Sequence, residues 1–493
     1  MGGKTFDPTR LALFDGMIRQ GQGAVVRAEI RELKGSKIPR EFMADLANTA
    51  RRVGLPSLAL RFLHPLRRAE LDFGDAMSAK EKASYAASLA AIGAHQEAHA
   101  LLRPLAEDRT PEAQLYLGYV CMYKWEYRSA ITHLTTYEGL PGLTDYQRFI
   151  AKLNLASAYS FERETERLIA LASELAVVGT QQGWKLLARD AHMLATQGFI
   201  QAGDFAKARA MLDAGFELAR ENALDAFLLR KWQVVMALHE SPASEAASAE
   251  LAAFRKEAVE ARDFESLREC DYYLGMLTRN SRLLQKVYFG TPYPDYRRRI
   301  LKEARGWLEL PAAYTWAVKG QHGRLVDLES GDFSGQKLGS ALVLNVIRAL
   351  SRDFYRPMRL ATLFGELYPD EHFDPLSSPG RTRRAVGRAR EWLEECGSAL
   401  SIESRANTYQ LTSAEPLDLR VRIEYGESDQ QVDPQLIKKL RKQFPYKAFS
   451  AKQAAEHLKL PLSSARGALK DAAEAGAVFR IGTGRSTLFR FAK

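Results

Sequence analysis

Three arginines, Arg381, Arg384 and Arg388, recur at spacings of three and four residues between Gly380 and Glu395. At 100° per residue they share one helix face, completed by Glu391, while Val386, Ala389 and Leu393 fall on the opposite face. A helix divided this way buries its apolar side and presents guanidinium forks to solvent. There they can pair with phosphate oxygens and with the O6 and N7 acceptors of guanine. Arg405, in the hairpin stretch just beyond, would join them. A second set lies near the C-terminus. Arg466 and Lys470 are one helical turn apart, Ser463 precedes them as the expected N-cap, and Arg480 and Arg485 flank or occupy a glycine-rich turn at 482–486. For each set the plain alternative is a solvated basic face on a surface helix.

Other chemistry finds no assembled residues. The chain has no GxxxxGK[ST] phosphate loop, and the "GGKT" near its start lacks both an upstream glycine and a preceding strand. Gly482 and Gly484 are followed by no third glycine and lead into a strand instead of a helix. There is no HExxH; His95 and His99 stand four apart with Glu97 between them, two ligands without a third. The cysteines, Cys121, Cys270 and Cys396, are too dispersed for a disulfide ladder or a zinc knuckle. The expectation is no catalytic residues, no metal site, no cofactor and no enzyme activity.

Charge supports the phosphate-binding reading and localises it. From Pro434 to Lys493 there are 13 Lys+Arg against 3 Asp+Glu, so the +10 formal charge of the 493-residue protein resides in its last sixty residues and the remainder balances at 57 of each sign. Local positive charge of this kind is the footprint of a nucleic-acid module on a neutral body. At 46% hydrophobic and 26% charged the composition is that of ordinary soluble protein, long enough for roughly three domains. No apolar run approaches the roughly 18 residues of a membrane span. The start, "MGGKTFDPTR", lacks the apolar core of a signal peptide. A cytoplasmic location is expected.

Most of the chain must then serve to position these residues. From about Leu11 to Leu310 it reads as successive amphipathic helices, and a signature recurs: Gly203, Phe205, Ala208 and Leu212 in "GDFAKARAML"; Trp125, Tyr127, Ala130 and Leu134 in "WEYRSAITHL", preceded by Leu117-Gly118; Gly93, Ala98 and Leu102; Gly54, Ala59 and Leu63. With looser matches the equivalent positions are Ala59, Ala98, Ala130, Leu168, Ala208, Ala247 and Val287, spaced 32 to 40 residues apart. A small residue at the central position lets two antiparallel helices approach closely. The pattern resembles the tetratricopeptide repeat, whose period is 34 residues, with a longer and less even period here. That resemblance implies an α-solenoid of six to eight repeats over residues 1–315, with a surface for a protein or peptide partner.

After Pro311 the helical period stops. Short alternating stretches give way to a helix from about Gly339 to Asp353, a second from Leu360 to Tyr368, the long helix from Gly380, and a hairpin over "LSIESRANTYQL". Residues 321–413, through "LATLFGELYP", "AVGRAREWLEE" and "NTYQL", resemble the OmpR-type winged helix of bacterial regulators. No aspartate pocket of a receiver domain accompanies it. Residues 414–433 alternate at Leu417, Leu419, Val421, Ile423 and Tyr425, as a strand expected to pair with a wing does, before a flexible joint. Residues 434–493 hold three helices, the second opened by a Ser450/Gln453 capping box, and then two short strands. The segment "AFSAKQAAEHLKLPLSSARGALKDAAEAGAVFRIGTGRSTLFRF" resembles the winged helix-turn-helix family.

The expected fold is mostly α: a tetratricopeptide-like α-solenoid followed by two small α+β winged-helix domains. The expected function is a DNA-binding transcriptional regulator whose repeats sense a signal or dock a partner and whose winged helices bind double-stranded DNA. The alternative is a scaffold or adaptor that uses its winged helices for protein contacts. A homodimer through the repeats is an arrangement the sequence leaves open.

Overall fold

The computed structural model describes residues 6–33, 38–108, 110–219, 223–318, 320–327, 332–333, 336–337, 341–421, 434–445, 448–474, 478–481 and 487–491. The chain divides into two compact units, Met1–Val421 and Arg422–Lys493.

The first unit begins with helices α1 (Arg10–Arg19) and α2 (Gly23–Arg31). Seven helical hairpins follow among the described residues: α3 (Arg40–Arg52) with α4 (Pro56–Phe73), α5 (Ala79–Ile92) with α6 (His95–Glu107), α7 (Pro111–Tyr123) with α8 (Tyr127–Glu138), α9 (Asp145–Glu162) with α10 (Thr165–Gln181), α11 (Lys185–Ala202) with α12 (Phe205–Ala219), α13 (Ala223–Glu240) with α14 (Glu245–Glu260), and α15 (Phe264–Leu277) with α16 (Ser281–Phe289). Helix α17 (Pro294–Glu303) follows the last pair. Within a pair the helices touch where side chains are small. A Cβ added at Gly118 of α7 would lie 2.9 Å from Leu134 of α8, so that approach needs glycine.

One turn closes six of the seven hairpins. Gly54, Gly93, Trp125, Arg163, Gly203 and Arg279 all have positive φ, and the amide that follows each donates to the carbonyl five residues back, as in Leu55 to Ala50 and Asp204 to Phe199. This is the Schellman closure of a helix end, which satisfies carbonyls that the helix itself leaves open. The residue five positions after each turn is fully buried: Ala59, Ala98, Ala130, Leu168, Ala208 and Leu284. In the last repeat the structural equivalent is therefore Leu284, and not Val287 as the spacing suggested; both are buried one helical turn apart, and only the turn at Arg279 sets the register. The sixth pair turns differently, through Ser244, whose hydroxyl accepts from the Ala247 amide.

The solenoid runs into strands β1 (Tyr314–Ala317), β2 (Arg324–Asp327), β3 (Asp332–Phe333) and β4 (Gln336–Lys337). Next come helix α18 (Ala341–Leu350), strand β5 (Met358–Arg359), helices α19 (Leu360–Leu367) and α20 (Ser378–Glu395), the hairpin β6 (Leu400–Arg405) and β7 (Thr408–Ser413), and β8 (Leu417–Val421). Two sheets form, in the orders β1-β8-β2-β3-β4 and β5-β7-β6. Helices α18, α19 and α20 lie against the second, antiparallel sheet. Ala406 and Asn407 both have positive φ and form the two-residue turn that suits a twisted hairpin.

Strand β8 does not join the wing as its alternation suggested. It pairs antiparallel with β1, Leu419 opposite Trp316, and parallel with β2, Leu419 beside Val326. Strand β7 already has β5 on one edge and β6 on the other. Leu417, Leu419 and Val421 are buried in a core shared with Trp316 and Val326, which accounts for the period of two.

The same hydrophobic core continues from Leu46 and Leu89 of the early repeats into Phe364 and Leu393, so this module is packed on the solenoid. Arg359 donates through Nη1 to the carbonyl of Ala91 (2.8 Å), at the C-terminal end of α5 where a cation is favoured, and Thr362 donates to Gly93 (3.2 Å). A second anchorage joins α15 to the loop before β5. Arg268 bonds Asp353, Tyr355 Oη donates to Asp271 (2.9 Å), and the Phe354 amide donates to Gly290 (3.1 Å).

The second unit contains α21 (Pro434–Gln443), β9 (Phe449–Ser450), α22 (Ala451–Leu458), α23 (Leu462–Glu474), β10 (Val478–Ile481) and β11 (Leu488–Phe491). Its antiparallel sheet has the order β10-β11-β9. The first of its strands, β9, is too short to have been read from sequence. The Ser450/Gln453 capping box opens α22 as expected. Leu440, Phe449, Leu469, Val478 and Phe489 form its core.

Candidate nucleic-acid interface

Asp374 organises the loop that starts α20. Its Oδ1 accepts from the amides of Leu376 (2.9 Å) and Ser377 (2.7 Å), and Pro379 lies in the first turn, where a missing N–H costs nothing. Ala385, Val386, Ala389 and Leu393 are buried, and Arg384 and Arg388 are exposed on the far side. Arg381 has a different setting. Its Nη2 donates to Glu371 (2.8 Å) and its guanidinium lies 4.2 Å from the centroid of Tyr368, so its charge is partly answered. Glu391, Glu394 and Glu395 are exposed at the other end of the helix. Exposed Arg384 and Arg388 thus lie N-terminal to an acidic end of the helix.

Arg405 is exposed beside the tip of the hairpin. Together with Arg383 and Arg390 it lines a cleft of about 280 Å³ between α20 and the hairpin, with no carboxylate in its walls. Arg383 donates to Asn407 Oδ1 (3.2 Å) and Arg390 Nε donates to the Ile402 carbonyl (2.9 Å), which holds both side chains toward the hairpin. Three guanidinium groups around one opening are chemically fit for a phosphate. Arg383 and Arg390 escaped the sequence reading because they lie off the Arg384/Arg388 face. The residue pair Ala406-Asn407 between two β-type runs was the available signal that a tight turn would face them.

In the second unit Arg466 is exposed on α23, and Gly467 beside it is buried. Helix α23 starts at Leu462, with the Ala465 amide donating to the Pro461 carbonyl (3.0 Å), so Ser463 lies inside the first turn and is not the N-cap. Lys470 lies on the same helix and Arg480 on β10; the side chains of Ser463, Lys470 and Arg480 are outside the described residues. Arg485 and the glycine-rich turn 482–486 also lie outside them, as does the joint before Pro434. Arg490 is exposed on β11, opposite Phe479.

The solenoid holds its own polar cluster. Glu303 of α17 accepts from Arg163 Nε (3.1 Å), from Arg299 Nε (2.9 Å) and from the Tyr272 hydroxyl. Burial would raise the Glu303 pKa, but Arg299 and Arg163 outweigh it and hold the carboxyl down at about 2. Trp125 stacks on Tyr293 nearby, with centroids 5.2 Å apart. Thus two of the non-glycine residues at the positive-φ turns, Trp125 and Arg163, offset that backbone cost with contacts to the segment 293–303. The cavity here measures about 10 Å³, room for one water and no ligand. His95 is pushed down to about 3 by burial, with Arg359 adding to the effect, and its ring lies 5.9 Å from Tyr123; His99 is exposed. No cluster of three or more metal-ligating side chains occurs among the described residues. Cys121, Cys270 and Cys396 are buried, and none is in a disulfide.

None of the described helices is long and apolar enough to cross a membrane. No protein-family model matches the chain, and no curated protein matches it in sequence. Among solved structures, a Rap protein complexed with competence and sporulation factor aligns with 79% of this chain and 90% of its own length, at 10% identity and a TM-score of 0.37.

Proposed function

We propose that this chain is a helical-repeat adaptor in transcription regulation. Its repeats dock a protein or peptide partner, and its two winged modules, the first of OmpR type, bind double-stranded DNA. The observation that supports DNA as the second ligand is the grouping of exposed Arg384 and Arg388 with the three-arginine cleft of Arg383, Arg390 and Arg405, on the helix and hairpin that a winged helix offers to a duplex. The basic surplus of residues 434–493 adds general affinity for phosphate. Under this reading the last sixty residues hold DNA, and α20 does more of the sequence discrimination. The expected setting is the cytoplasm.

A second reading, a scaffold whose winged modules contact proteins only, is favoured by one observation. The first module already uses α19 and its flanking loops to grip repeats two and seven, through Arg359, Thr362 and Asp353. Fluorescence anisotropy on genomic duplex fragments separates the two. Charge reversal of Arg384, Arg388, Arg466 and Lys470 to Glu should abolish DNA retention and leave the fold intact. If the wild-type protein binds no duplex at low salt, or binds it with no salt dependence, the DNA reading falls and the scaffold remains.

A further inference from the structure

A cavity of about 490 Å³ lies between helices α4 and α5 of the first two repeats and the first winged module. That volume is in the range of small-molecule sites. Leu60, Ile92, Leu360 and Phe373 supply apolar wall. Arg61 of α4 and Arg383 of α20 line it together with Arg359, and no Asp or Glu is among its lining residues. The cavity is therefore oily and positive at once.

His64 of α4 contributes its ring to the same wall. The imidazole is 9% exposed, lines the cavity, and neither ring nitrogen has a hydrogen-bond partner in the protein. Arg359 is engaged with the Ala91 carbonyl and Arg383 gives one donor to Asn407 Oδ1, which leaves Arg61 and the remaining N–H groups of Arg383 for an incoming anion.

We propose that this cavity binds a small organic carboxylate with an aromatic or branched apolar body. The carboxylate pairs with Arg383 and Arg61, and the apolar body lies against Leu60, Ile92 and Phe373. A carboxylate fits better than a bulky phosphate ester because half the wall offers nothing polar. The cavity is built from both the repeats and the winged module and shares Arg383 with the cleft of Arg390 and Arg405, so its binding is measured in the absence of DNA and does not rest on the DNA reading.

Calorimetry on the full chain tests this with 4-phenylbutyrate, 3-phenylpropionate and indole-3-acetate, and with 4-phenylbutyramide as the uncharged match. The expected result is saturable one-to-one binding of at least one carboxylate. Affinity should be at least tenfold weaker for the amide and for Arg383→Gln, and binding should be lost in Leu60→Trp, whose folding is checked by circular dichroism. Should Leu60→Trp fail to fold, Ser57→Trp at the exposed rim blocks the same opening. Absence of binding by all three carboxylates overturns the proposal. So does equal affinity for the amide, or undiminished binding when the cavity is filled by tryptophan.

Discussion

Nη2 of Arg268, on the first helix of the seventh repeat, donates to both carboxylate oxygens of Asp353, at 3.0 and 2.8 Å, across 85 residues of chain. The Arg268 side chain is fully buried, and Asp353 also accepts the amides of Tyr355 (2.9 Å) and Arg356 (3.0 Å). This pair fastens the segment before β5 to the end of the solenoid.

Breaking it on one side strands a buried charge. Asp353→Asn is expected to cost about 3–5 kcal/mol in chemical denaturation, and the double change Arg268→Met with Asp353→Leu to recover much of that loss. A double-mutant cycle isolates the coupling. Additive effects of the two changes would show that the pair does not act as a unit.

Gly93 carries two constraints at once. Its φ is +97°, and a Cβ would fall 2.3 Å from Thr362 Oγ1; Gly203, at the equivalent turn with φ +76°, has no neighbour within 4 Å. Gly203→Ala should therefore cost about 1 kcal/mol, the backbone term alone. Gly93→Ala should cost clearly more and loosen the module from α5. Equal losses in urea titrations would count against the docking contact.

The small residues at the hairpin seams limit what can be inserted there. Ala208 is fully buried five residues after its turn, and Ala208→Leu is expected to destabilise by about 1–3 kcal/mol through overpacking. Leu284→Ala, in the last repeat, is expected to cost about 2–5 kcal/mol as a cavity. Thermal denaturation of both variants reads these directly.

Acid should unfold the solenoid in two stages. His239 is depressed to about 4, mainly by burial and further by Arg163, so the unfolded chain binds its proton first and stability falls as pH drops from about 6.5 toward 4. Glu303 is held at about 2 against an ordinary 4.5, so its contribution is complete above about pH 4.5 and is lost as pH falls toward 2. Glu303→Gln should flatten the lower part of the stability profile and leave the part above pH 5 unchanged in slope. A profile of unchanged shape would remove Glu303 from this role.

Duplex binding, if it uses about six phosphate contacts, should weaken with a log–log salt slope on the order of −5. Arg384→Ala or Arg466→Ala should each reduce the slope by about one. Deleting residues after Asp433 should weaken binding to all sequences alike. Loss of sequence preference with retained general affinity would reverse the roles assigned to the two modules.

Residue order alone determined what is decided within a few positions of the chain. Helix periodicity, the Ser450/Gln453 cap and the glycine turns at Gly54, Gly93 and Gly203 are local, and so is the division of α20 into buried Val386 and exposed Arg384 and Arg388. Alternation at Leu417, Leu419 and Val421 announced a strand with a buried face, but a period of two carries no information about which strand lies beside it. Only the tertiary structure chose β1 and β2. The seventh repeat shows the same limit: Leu284 and Val287 satisfy one apolar face equally, and the turn that separates them sits at Arg279, a residue type that does not signal positive φ. Long-range contacts also set the chemistry of the arginines. Folding placed Arg381 against Glu371 and Tyr368, and it gathered Arg383 and Arg390 with Arg405 across a hairpin, because a guanidinium's partners are those that come within about 4 Å in space.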